Sequence, residues 1–235
     1  FHMAREKEID LAIKNSLNAW ENWSQTSLQE RIKVFKRAAK LLAGPWRDTI
    51  NAATMLNQSK NVFQAEIDAA CELIDFFNFN AQFAEQIHNE QPLISPEGMH
   101  NHLEYRPLEG FIFAVSPFNF TSIAGNLPTA PAIMGNVALW KPASTSVYSS
   151  YFIMKLLEEA GLPDGVINFI PGSGRQIGNI VMKNPNLSGI HFTGSTEVFQ
   201  NMWKTIGDNI NTYNSYPRIV GETGGKDFIL AHESS

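Results

Sequence analysis

Five short apolar runs in the second half of the chain, at 111–115, 137–140, 166–170, 189–192 and 218–220, restrict the fold more than any other feature. Their starts lie 26, 29, 23 and 29 residues apart. Each run has the length of a strand, and segments of helical period fill the gaps. The clearest spans 148–160 and is closed by Gly161-Leu162-Pro163. Another spans 196–210 and carries Val198, Phe199, Met202 and Ile206 on one face. Strand and helix alternating at this interval predict right-handed βαβ units. The expected fold is α/β: a five-stranded parallel sheet over 104–235, with helices on both faces, preceded by a helical region over 1–103.

The first hundred residues have a different period. Ile9, Ala12, Ile13, Ala19, Trp20 and Trp23 recur at helical spacing. Ser27-Leu28-Gln29-Glu30 has the form of a capping box, in which Ser and Glu satisfy each other's backbone N–H groups. The stripe Ile32, Phe35, Ala38, Ala39, Leu42 follows it, and Gly44-Pro45 is a stop signal. A second, unbroken pattern over 62–87 carries Ile67, Ala70, Cys71, Ile74, Phe77, Ala81 and Ala84. Residues 91–101, with Pro92, Pro96 and Gly98, read as a loop or an extended crossing.

In a parallel α/β sheet, ligands bind outside the carboxyl ends of the strands. The residues that follow each strand are therefore the ones to read. They are Ser116-Pro117-Phe118-Asn119-Phe120, Lys141-Pro142-Ala143-Ser144, Pro171-Gly172-Ser173-Gly174, Thr193-Gly194-Ser195-Thr196-Glu197 and Gly221-Glu222-Thr223-Gly224-Gly225-Lys226. All five are polar or contain glycine, and the fold brings them to one edge. Glu222, between glycines that let the backbone bend sharply, is a candidate general base. Two lookalikes fail. Gly172-Ser173-Gly174-Arg175-Gln176-Ile177-Gly178 has one residue too many for G-x-G-x-x-G and follows the third strand, so it reads as a turn and a helix start. Gly224-Gly225-Lys226 lacks the Ser or Thr that ends a phosphate-binding P-loop, because Asp227 stands there.

Composition narrows the function classes. The chain is 43% hydrophobic and 17% charged, as a soluble globular protein is. A net charge of −5 without a basic block argues against nucleic acid or an anionic membrane surface as partner. No apolar run reaches the ~18 residues that would span a bilayer. The six histidines are scattered and form no metal-ligand spacing. The one cysteine, Cys71, excludes an internal disulfide framework and fits a reducing compartment. On an apolar stripe, with no His or Lys within a helical turn, it reads as a small buried hydrophobe. The start, Phe1-His2-Met3-Ala4-Arg5, passes straight into an amphipathic pattern, so no signal peptide and no secretion are expected.

At the strand ends the chain resembles the aldehyde dehydrogenase superfamily over nearly its whole length. The carrying stretches are Ser116-Pro117-Phe118-Asn119-Phe120, Trp140-Lys141-Pro142, Gly161-Leu162-Pro163 with Asn168 and Pro171-Gly172, Phe192-Thr193-Gly194-Ser195, and Gly221 to Lys226. Within it, several stretches are similar to the Δ1-pyrroline-5-carboxylate dehydrogenase branch. These are Ala65-Glu66-Ile67-Asp68, Glu72-Leu73-Ile74-Asp75-Phe76-Phe77, Asn119-Phe120-Thr121, Met134-Gly135-Asn136 and Gly224-Gly225-Lys226-Asp227-Phe228.

The resemblance implies a Rossmann-like NAD-binding core and oxidation of glutamate γ-semialdehyde to glutamate in proline breakdown. It implies that a cysteine thiolate attacks the aldehyde while the side-chain amide of Asn119 holds the oxyanion. Water activated by Glu222 then hydrolyses the thioester. It places Lys141 on the adenosine ribose and Gly194, Ser195, Thr196, Glu197 and Val198 near the pyrophosphate, with Ser116 on the same edge. It puts Phe120 and Glu72 against the aldehyde, roles that pattern alone does not show. From pattern alone, Asn119 reads as a helix cap, Ser195 likewise, Phe120 as core, Glu72 as a solvated carboxylate and Glu222 as a turn carboxylate paired with Lys226. Many NAD-preferring relatives carry an acid three residues after the lysine, where this chain has Ser144; NAD is still expected to bind better than NADP. The family's nucleophile, second NAD segment, substrate-carboxylate loop and dimer-building strand are expected beyond Ser235. The full-length enzyme is expected to be a homo-oligomer, a dimer or larger. It would be cytoplasmic in a bacterium and in the mitochondrial matrix in a eukaryote. Two other readings remain: a nucleotide-binding module or pseudoenzyme without thioester chemistry, and a member of the same superfamily acting on a different aldehyde.

Overall fold

The computed structural model describes residues 1–225 and 228–234. Its centre is a five-stranded parallel sheet in the order β3-β2-β1-β4-β5. The strands are β1 (Phe111–Val115), β2 (Val137–Lys141), β3 (Ile167–Phe169), β4 (Leu187–Gly194) and β5 (Arg218–Thr223). β2 is buried along its whole length, which is why it reads as a continuous apolar run rather than an alternating one. β5, at one edge of the sheet, is largely exposed. The chain steps outward from β1 to β3, then returns past β1 to lay down β4 and β5. Right-handed crossovers put α6 (Thr121–Ile133) and α7 (Val147–Glu159) on one face. The same rule puts α8 (Gly174–Val181) and α9 (Thr196–Asp208) on the other. The strand order reverses between β1 and β4, which opens a crevice at their carboxyl ends.

The N-terminal helices are not a separate body. α1 (Glu6–Trp23), α2 (Leu28–Ala43), α3 (Arg47–Gln58) and α5 (Glu72–Asn89) share one continuous apolar core with the sheet. Trp20 Nε1 donates to Leu108 O at 2.8 Å, and Trp23 Nε1 donates to Ala132 O at 2.9 Å. The Ser27/Glu30 capping box forms as expected. α3 is not evident in the sequence, because its buried face includes the polar residues Asn51 and Thr54. The pattern over 62–87 is also not one α-helix. α4 (Val62–Ala65) runs into a π-helical turn at Glu66–Cys71, which leads into α5. The wider turn rotates the apolar stripe, so Ile67 faces solvent while Ala69 and Ala70 are buried.

One part-buried contact ties α6 to the sheet. Pro131 has no N–H, so the carbonyl of Leu127 four residues earlier loses its helical donor. Nδ1 of His191, on β4, lies 2.9 Å from that oxygen and takes the donor's place. Gly110, at the entry to β1, has φ +113°, and a Cβ there would lie 2.1 Å from Asn186 O. Only glycine fits both constraints.

Candidate active site

The crevice at the switch point is a cleft of about 580 Å³ at the carboxyl ends of the strands. Its lining includes Ser116, Pro117, Phe118, Asn119, Phe120, Lys141, Thr193, Gly194, Ser195, Val198 and Glu222. Eight of the eleven residues singled out from sequence therefore share one cavity. Thr196 and Glu197 lie in the first turn of α9, beside the cleft but not in its lining. Glu72 lies outside it: on the first turn of α5, it accepts a hydrogen bond from Ser122 Oγ. A larger hollow of about 880 Å³ lies between 104–109 and 210–218. It is at the amino ends of β1 and β5 and contains none of these residues.

The first loop is fixed by neighbours on two other elements. Ser116 Oγ accepts from Trp140 Nε1 at 2.9 Å, and Ser146 Oγ donates to Phe118 O at 2.6 Å. Asn119 is exposed, and its amide is not a helix cap: the N-cap of α6 is Phe120, without a side-chain cap bond. The Asn119 carbonyl accepts from Lys60 Nζ, and the same ammonium lies 4.3 Å from the centre of the Phe120 ring.

Lys141 ends β2 and is 8% exposed. It has no ion-pair partner among the described residues. Burial lowers its pKa from the ordinary lysine value. A buried cation without a counter-charge suits a ligand oxygen. At the end of β4, Ser195 caps α9 by accepting from Val198 N at 3.3 Å. The amides of Thr196 and Glu197 have no helical acceptor, and they stand at the positive end of a helix whose amino terminus borders the cleft, a setting that suits an anion.

Glu222 differs from its expected setting. It is on β5 itself, opposite Thr193, and not in a turn after the strand. β4 runs on to Gly194, so Gly221, Glu222 and Thr223 each gain a partner and the ladder continues. Glu222 is exposed at the cleft wall. Lys226, its expected alternative partner, lies outside the described residues. Cys71 does not line the cleft. Its thiol is within 3.5 Å of both Glu66 Oε1 and Arg47 Nη2. Burial, then the Glu66 carboxylate, raise its pKa, which is the opposite of what a nucleophile needs. Among the described residues, no cluster of His, Cys, Asp or Glu could hold a metal ion. Lys60 is the residue that sequence reasoning missed. It stands in a polar turn between helices, and nothing local marks its reach to residue 119.

The whole sequence, residues 1–235, matches the aldehyde dehydrogenase family, and the chain belongs to that family. It is 52% identical over 236 residues to the mitochondrial Delta-1-pyrroline-5-carboxylate dehydrogenase of Dictyostelium discoideum, covering all of this chain and 42% of that one. It is 46% identical over 235 residues to the Homo sapiens mitochondrial enzyme of the same name, again covering all of this chain and 42% of the relative. Among solved structures, the NAD-bound Delta-pyrroline-5-carboxylate dehydrogenase of Mycobacterium tuberculosis superposes with a TM-score of 0.95 at 55% identity. That match covers all of this chain and 44% of the other. The chain thus spans less than half the length of these relatives.

Proposed function

We propose that this chain is the NAD-binding and oxyanion-holding part of a Δ1-pyrroline-5-carboxylate dehydrogenase, which oxidises L-glutamate γ-semialdehyde to L-glutamate in proline degradation. The observation that carries the reading is the meeting of Asn119, Lys141, the α9 amino terminus and Glu222 at one cleft. Identities of 46–55% to proteins named for this reaction support the branch. NAD, when bound, accepts the hydride. The cleft fits a dinucleotide: Lys141 offers a buried donor without a counter-charge, and α9 offers amides for a pyrophosphate. Gly194, at the cleft, makes room for the Phe192 ring, which a Cβ there would meet at 2.6 Å.

The chain's own groups divide the work. The Asn119 amide donates to the oxygen that becomes negative when a thiolate adds to the aldehyde. Phe120 gives the aldehyde an apolar wall. Glu222 takes a proton from the water that attacks the thioester. Glu72 is an outer polar neighbour of the aldehyde site, acting across Ser122 at the start of α6. Thr196 and Glu197 shape the turn that presents the α9 amides. The thiolate is not Cys71, whose environment keeps it protonated, so the nucleophile comes from outside residues 1–235. The complete enzyme is a homo-oligomer, cytoplasmic in a bacterium and in the matrix of a mitochondrion.

Titration calorimetry tests the cofactor. NAD should bind the chain saturably and more tightly than NADP, and Lys141→Ala should weaken NAD by about tenfold, the loss of one charge-assisted contact. No NAD binding, or tighter NADP binding, overturns the assignment. The chain by itself should form no NADH from glutamate γ-semialdehyde; NADH formation would overturn the external nucleophile. The full-length protein should turn over this aldehyde faster than shorter aliphatic aldehydes, and the reverse order would refute the branch.

A further inference from the structure

We propose that Lys60, held by Asp68, is a positioning residue that aims Asn119 at the reacting oxygen; the proposal rests on Asn119 being the oxyanion donor. Asn119 follows β1 by four residues, and its side chain is exposed. An exposed amide on a loop has no fixed direction unless its backbone is tied. The tie comes from the turn between α3 and α4. There Ser59 adopts a left-handed conformation at φ 55°, which ends α3 and sends Lys60 back toward the sheet.

The Lys60 ammonium is then engaged on three sides. One N–H donates to the Asn119 carbonyl, and another to Asp68 Oδ2 at 2.6 Å. The charge also lies 4.3 Å from the Phe120 ring centre. The side chains of this ion pair are only 13% and 21% exposed, so water competes weakly for either charge. Asp68 stands on the π-helical turn Glu66–Cys71. The same end of α3 fixes the next residue along: Thr54 Oγ1 and Gln58 Nε2 each lie 2.9 Å from Thr121 Oγ1. The Asn119 carbonyl is therefore held from the α3–α4 turn, and the Thr121 hydroxyl, on the other side of Phe120, is held from α3. Lys60 does not line the cleft. Its effect on the reaction passes through the Asn119 backbone.

A double-mutant cycle on kcat in the full-length protein, with glutamate γ-semialdehyde and saturating NAD, tests this. Asn119→Ala should lower kcat by about 10²–10³-fold, as loss of one oxyanion donor does. Lys60→Met should lower it by about 10–10²-fold, the cost of a misplacement on the order of 1 Å, with KM for NAD unchanged. If Lys60 acts through Asn119, the double variant should match Asn119→Ala within about twofold, because the two losses are not independent. Losses that multiply, or an unchanged kcat in Lys60→Met, overturn the role of Lys60. An unchanged kcat in Asn119→Ala instead overturns the reading of the site and leaves the ion pair a structural contact. Should Lys60→Met strand Asp68 and fail to fold, Lys60→Met/Asp68→Leu removes both charges and carries the same cycle. Lys60→Arg, which keeps a donor to both oxygens, should recover part of the rate; no recovery argues that the ammonium is not the tie.

Discussion

Lys141 is a residue whose cost to the fold identifies its use. A buried ammonium without a carboxylate beside it loses hydration and regains little. Its pKa is lowered by that burial. The unfolded chain therefore holds the proton more readily, and the penalty is largest at a pH where the folded lysine is still charged. Replacing it with an apolar chain of similar length should separate stability from binding. Lys141→Met is expected to raise Tm by about 2–4 °C, the shift that 1 kcal/mol gives at this chain length, while weakening NAD about tenfold. Calorimetry with and without NAD reads both. A lower Tm in Lys141→Met would mean that the ammonium is satisfied within the fold. Glu222 is the opposite case, being exposed and inexpensive to keep. Its place at the cleft wall is set by strand register.

At the scale of elements, β4, β5 and α9 form the wall that carries Glu222 and the amino terminus of α9. The contact between them is aromatic. Phe192 and Phe199 stack with centroids 5.6 Å apart, and Trp203 meets Phe199 edge-on. Gly221 lies directly under this stack: a Cβ there would be 2.2 Å from the Phe199 ring. Phe199 is held from two sides and cannot yield cheaply. Gly221→Ala is therefore expected to cost about 1–3 kcal/mol of stability, the usual price of overpacking. It should also weaken NAD binding, because α9 moves with Phe199. Urea denaturation and titration calorimetry check the two effects; normal values for both would show that the ring can swing aside. The expectation that Glu222 lies in a turn fails at this same scale. The run 218–220 ends where apolar residues end, but the strand ends where its ladder partner ends, at Gly194.

On the scale of the molecule, the exposed edge is the chief liability. Among the described residues no strand pairs with the outer side of β5, and Val220 on it is 60% exposed. Phe63, Leu93 and Ile94 are between 78% and 100% exposed elsewhere on the surface. Open strand edges and apolar patches promote association. Sedimentation velocity of residues 1–235 should show concentration-dependent association that Val220→Lys reduces; a strict monomer in both would refute it. Acid sensitivity is a second expectation at this scale. His191 replaces the donor that α6 loses at Pro131, and burial lowers its pKa. Because the folded pKa is depressed, the contribution is complete above the unfolded value of about 6.5 and is lost as pH falls. Stability should decline below about pH 6.5, and His191→Gln should flatten that decline. Equal slopes in denaturation curves across pH 5–8 would place the acid sensitivity elsewhere.

What the sequence determined by itself was local or periodic. Strand-length apolar runs at regular intervals are enough for a parallel sheet, because crossover handedness leaves few ways to wind them. Residues at strand ends are then brought to one edge, so Ser116, Asn119, Lys141, Ser195 and Glu222 could be named before any contact was known. Tertiary structure decided whatever depends on partners distant in the chain. α3 is hidden because its buried side is partly polar, and the π turn because an inserted residue leaves composition unchanged. Glu72 pairs with Ser122 outside the cleft, a contact fifty residues away in sequence. Lys60 and Asn119 are 59 residues apart, and neither the polar turn nor the strand end signals the other. Periodicity records which side of an element is buried. Which groups then meet depends on how the elements pack.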